Sequence, residues 1–79
     1  MLNLETKTGL SSGEATSRIR AFFEGQGLKL LDENRGCLSF EGGGGYVTAT
    51  VSEEGDKTRI ELVTQEWEFQ VREFVANLR

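Results

Sequence analysis

Few residues in this chain could do covalent or acid–base chemistry, and their types restrict what that chemistry would be. There is no histidine. The single cysteine, Cys37, therefore has no imidazole to take its proton, and the nearest cation in sequence, Arg35, stands in a turn where an arginine is ordinarily solvated. An inert thiol is expected. With one Cys and no His, neither an intrachain disulfide nor a structural zinc site can be built from these 79 residues.

Two further patterns invite a chemical reading. Glycine runs such as Gly42-Gly-Gly-Gly45 can cradle phosphate by turning successive N–H groups inward. Walker-type loops, however, close on Gly-Lys-Ser/Thr at a helix start, whereas this run leads into a strand and is preceded by Glu41. A hairpin connection is expected, or a place where another segment approaches a strand that carries no Cβ. The carboxylates Glu53, Glu54 and Asp56 share one loop, and Glu66, Glu68 and Glu73 surround the last helix. A calcium loop needs ligands at alternating positions over about twelve residues. The first group supplies three, with no closing glutamate. A solvated hairpin tip and a favourable helix N-terminus account for both groups. No cofactor, metal or catalytic residue is assigned.

The elements that must carry these residues are legible from periodicity. Thr58–Gln65 reads as a strand, and from Trp67 the apolar residues fall at Trp67, Val71, Phe74, Val75 and Leu78, the rhythm of one helical face. Phe69 lies about 200° from Trp67 around such a helix. Either the helix starts nearer Glu68 or Phe69 is exposed. Earlier in the chain, Leu2–Thr8 alternates as a strand with one wet face. Ser11-Ser-Gly-Glu14 fits a capping box, and Ala15, Ile19, Phe22 and Phe23 continue it as a helix over 12–25, with Glu14 and Arg18 pairing outside. Strands follow at 28–33, 37–41, 46–52 and 58–65, joined by the turns Asn34-Arg-Gly36, Gly42–Gly45 and Glu53–Lys57.

The resulting order is β-α-β-β-β-β-α, an α+β domain spanning 1–79. Short loops make the four consecutive strands an antiparallel meander, and two amphipathic helices then cover one face of a five-stranded antiparallel sheet. The other face is expected to carry Asn3, Glu5, Lys7, Lys29, Leu31, Glu33, Cys37, Ser39, Tyr46, Thr48, Thr50, Arg59, Glu61 and Val63. In element order the whole chain resembles half of a TATA-binding-protein fold, and also a shortened helix-grip domain. The first resemblance implies a sheet face that meets DNA with basic and wedging aromatic residues. Here that face has Glu5, Glu33 and Glu61 and no phenylalanine, so DNA binding is not carried over. The second implies an apolar ligand between the C-terminal helix and the sheet, but Phe22, Phe23, Phe40, Trp67 and Phe74 are expected to fill that space themselves.

Charge and length set the remaining bounds. The net charge is −4. Residues 1–40 hold five basic and five acidic side chains and 41–79 hold four and eight, so the excess lies in the second half. Such a chain is expected to bind neither nucleic acid nor an anionic membrane surface. No run of about 18–20 apolar residues could span a bilayer, and no signal-like segment opens the chain, so the cytoplasm is the expected location. A chain this short buries only about 60–65% of its unfolded surface. Without disulfides or metals, self-association is the remaining reinforcement. The expected function is a non-catalytic protein-interaction module that forms a homodimer, with Leu31, Tyr46, Val63 and Phe69 as interface candidates. The alternative is a helix-grip-like binder of a small apolar ligand.

Overall fold

The computed structural model describes residues 1–78. Its elements are β1 (Leu2–Thr8), α1 (Ser12–Gly25), β2 (Lys29–Asn34), β3 (Cys37–Gly42), β4 (Gly45–Glu54), β5 (Lys57–Gln65) and α2 (Glu68–Ala76). The strands form one antiparallel sheet in the order β1-β5-β4-β3-β2. The α+β class and the five-stranded antiparallel sheet agree with the order read from the sequence. β1 and β2 are the two edges, so α1 crosses the sheet to join them.

Helix α1 is delimited by its own residues. Ser11 Oγ accepts from the Glu14 N–H at 3.1 Å, and the Ser11 N–H donates back to Glu14 Oε1 at 3.3 Å, completing the capping box. Glu14 is thereby turned toward the cap, and no ion pair joins it to Arg18 among the described residues. At the other end the N–H groups of Gly27 and Leu28 reach the Glu24 and Phe23 carbonyls at 3.0 and 3.1 Å. Gly27 adopts φ 96° between them, a Schellman stop in which Leu28 and Phe23 are both buried.

The core lies between the sheet and both helices. Ala15, Ile19 and Phe23 of α1, Val71 and Phe74 of α2, and Leu38, Phe40, Val47, Ala49, Ile60 and Leu62 of the strands are buried together. The Phe23 ring packs against Phe40 and Phe74 with both centroid separations at 5.7 Å, and Phe22 meets Phe74 at 5.4 Å. Both helices therefore share one face. The accessible surface of 4736 Å² is close to the roughly 4800 Å² of an ordinary folded chain of this mass. The core closes within one copy. Among the described residues every buried side-chain N or O has a partner, including Thr58 Oγ1, which donates to the Leu10 carbonyl at 2.7 Å.

Two features of β2 depart from the periodic reading. Leu30 opposes Phe40 and Asp32 opposes Ser39, so Leu31 is an inserted bulge residue. The insertion shifts the alternation by one. Glu33, expected on the wet face, instead opposes Leu38 on the helix side, where its Oε1 lies 3.2 Å from Arg20 Nη1 of α1, while Asp32 takes the wet position. In the following turn Asn34 is still a strand residue, and Arg35 and Gly36 carry the positive φ values of 51° and 82°, the pattern of a type I′ hairpin. An arginine there is strained, since a Cβ in left-handed backbone costs about 1–2 kcal/mol. Replacing Arg35→Asn gives this turn its preferred residue and should raise unfolding free energy by about 0.5–1 kcal/mol in urea titration, with the m-value unchanged.

Candidate functional site

Among the described residues no second layer covers the sheet face opposite the helices. Read across the strands, Asn3, Val63, Thr48, Ser39 and Asp32 form one outward row, and Glu5, Glu61, Thr50, Cys37 and Asn34 form the next. Tyr46 opposes Gln65, one step along from Val63, so Tyr46 and Val63 are diagonal neighbours on the two central strands. Both are half-buried. The other two interface candidates lie elsewhere: Leu31 is 56% exposed at the bulge of the edge strand β2, and Phe69 is 71% exposed in the first turn of α2, in the helix layer. The four candidates do not form one patch. Helix α2 begins at Glu68 and Phe69 is exposed, so both readings of that corner hold together.

The glycine run makes close contacts of its own within the fold. Gly42 and Gly45 pair across β3 and β4, and Gly43 and Gly44 form the two-residue turn with φ 56° and 81°. The Trp67 indole lies over this turn, with its Nε1–H donating to the Gly42 carbonyl at 2.8 Å. A Cβ on Gly43 would stand 3.1 Å from Trp67 Cζ2, and one on Gly45 would strike the Gln65 carbonyl. The chain therefore leaves β5 through a bare hairpin. Glu66, at φ 79°, makes the left-handed step into α2.

The carboxylates separate in space. Glu53 opposes Thr58 on the helix side and accepts from Ser12 Oγ at 3.3 Å, whereas Glu54 pairs with Lys7 on the wet side. Glu68 Oε2 lies 3.8 Å from the Met1 amino group. Among the described residues no group of three His, Cys, Asp or Glu could hold a metal. Cys37 is a free, half-buried thiol on the outward row beside Thr50. No described helix is long and apolar enough to cross a membrane.

Charge on the wet face concentrates at its β1 border. Arg59 Nε donates to Glu5 Oε2 at 2.7 Å across β5 and β1, and Lys7 Nζ reaches Glu54. The bond from Arg59 holds the Glu5 carboxyl below its ordinary range, and the bond to Glu54 holds Lys7 above its own. Sequence reasoning placed Glu5, Lys7 and Arg59 on this face but gave no sign that they pair, because register decides which charges become diagonal neighbours.

A shallower apolar surface lies in the helix layer. Ala21, Phe22, Phe74 and Leu78 line an open groove of about 360 Å³ between α1 and α2, with Arg18 and Asn77 at its rim. It lies between the helices. The space between α2 and the sheet, where a helix-grip ligand would sit, is occupied by Phe23, Phe40 and Phe74. No protein-family model matches the chain, and no curated protein matches its sequence.

Two outcomes check this geometry. Trp67→Phe removes the donor to the Gly42 carbonyl and should cost about 1–2 kcal/mol in chemical denaturation. Because its folded-state pKa is depressed, Glu5 contributes stability above the ordinary carboxylate range and loses it as pH falls through the folded value. NMR titration should find the Glu5 midpoint below that range in the parent protein and back within it in Arg59→Ala.

Proposed function

We propose that this chain is a small non-catalytic interaction module of the cytoplasm that associates with a second copy of itself. The observation that supports it is the two-layer architecture: both helices lie on one side, leaving a whole sheet face and two strand edges without a partner. Backbone N–H and C=O groups along a free edge are ready-made pairing sites, and Tyr46 and Val63 give the open face an apolar centre. Arg35 and Glu66, the two non-glycine residues in left-handed backbone among the described residues, both serve connections, at a hairpin turn and a strand-to-helix corner.

A second reading has one observation in its favour. The groove between α1 and α2 combines an apolar floor with the Arg18 guanidinium at its rim, which suits a small apolar ligand ending in a carboxylate. Sedimentation equilibrium from micromolar to millimolar chain separates the two. A concentration-dependent dimer is expected. A chain that stays monomeric throughout overturns the first reading, and saturable fatty-acid binding by that monomer, followed by chemical shifts at Phe22 and Phe74, supports the second.

A further inference from the structure

The two sheet edges differ in a way that selects one of them. β2 is bulged at Leu31 and carries Asp32 and Glu33 beside the bulge, features that discourage edge pairing. β1 pairs with β5 in unbroken register from Leu2 to Thr8, and among the described residues no strand pairs with its other edge. Its helix-side residues Leu2, Leu4 and Thr6 are only half-buried. Beneath the strand, Thr6, Val75 and Leu78 line a small groove of about 220 Å³ that α2 does not close.

We propose that the free edge of β1 pairs antiparallel with β1 of a second copy about a two-fold axis at Thr6, joining the two sheets into one. This rests on the reading of the chain as a self-associating module and names the surface and register. The reason for that register is charge. A two-fold at Thr6 sets Leu4 opposite Thr8 and Glu5 opposite Lys7, both pairs occurring twice by symmetry. Within one copy Glu5 already holds Arg59 and Lys7 already holds Glu54. Across the junction the row in register would then read Arg59, Lys7, then Glu5 and Glu61 of the second copy, two cations meeting two carboxylates, and the same again in reverse. Moving the axis to Glu5 would instead place two carboxylates face to face, which is destabilising. On the helix side, Leu4, Thr6 and Val75 of both copies would line a shared trough between the two α2 helices. Strand addition of this kind draws affinity from backbone hydrogen bonds and specificity from the side chains that alternate along the strand.

Two charge reversals test the register. In Glu5→Lys both cross-axis pairs between positions 5 and 7 are cationic, and in Lys7→Glu both are anionic. Each variant alone should dissociate about tenfold more readily than the parent, and an equimolar mixture should recover a one-to-one heterodimer. Both positions are exposed, and circular dichroism confirms that each variant is folded. On the parent protein, hydrogen exchange should show concentration-dependent protection of the β1 amides that do not face β5. A parent that dimerises with an affinity neither reversal alters, or a mixture no tighter than its components, overturns the β1 register while leaving self-association standing. A parent monomeric at all concentrations overturns both.

Discussion

The fold depends on the packing of Phe23 against Phe40 below it and Phe74 beside it. One ring from α1 touches the sheet and the second helix at once, with centroid separations of 5.7 Å to both, and Phe23 has no exposed surface. Fully burying a side chain of this size contributes about 1.5–3 kcal/mol, a large part of the roughly 4–12 kcal/mol that a chain of this length commands. That contact draws both helices to the same side. The reverse side of the sheet is left wet as a direct consequence, and so are the two edges, since α1 bridges over the sheet rather than beside it.

The corner between β5 and α2 follows from the same constraint. To lay Phe74 against Phe23, the chain must turn sharply off the end of β5. It does so through left-handed Glu66 and past the β3–β4 hairpin. Side chains at Gly43 and Gly45 of that hairpin would obstruct the path, and these two glycines remove them. Trp67 then seals the opening with its ring over Gly43 and its N–H on the Gly42 carbonyl. A run that could have been taken for a phosphate cradle is thus a clearance for the chain's own aromatic anchor. Helix α2 has no side-chain cap at its N-terminus, so its placement rests on this anchor and on Val71, Phe74 and Leu78.

Electrostatics on the molecule is local. The acidic excess of the second half is spread over both faces, with Glu53 at the helix side, Glu54 and Glu61 on the wet side and Glu68 beside the amino terminus. The described groups drawn away from their ordinary pKa values, Glu5, Lys7 and Arg59, all sit on β1 and β5, with Arg59 bonded to Glu5 and directly opposite Lys7 in register. Exposed pairs of this kind add little to stability and are screened by salt. Their pattern bears more on which surface a partner could meet than on whether the chain folds.

How much of this was legible beforehand follows from which signals are local. The capping box, the alternation of β1, β4 and β5 and the stripe of α2 each depend on residues a few positions apart, and the fold class follows from them. The site was less legible. The bulge at Leu31 left no trace in composition, and it moved Glu33 to the helix side because one inserted residue inverts every later position of the strand. Arg35 bears the turn that Asn34 was expected to share, since the register of β2 against β3 fixes which two residues lie between the strands. Tyr46 and Val63 became neighbours, while Leu31 and Phe69 were set apart from them and from each other, only once five strands had taken their order. The sequence alone determined which elements form and which of their faces is apolar, because these are short-range properties of the backbone and its side chains. Which charges pair, what the glycines make room for and which edge stays open were decided by tertiary structure, because each depends on residues far apart in the chain brought together by register.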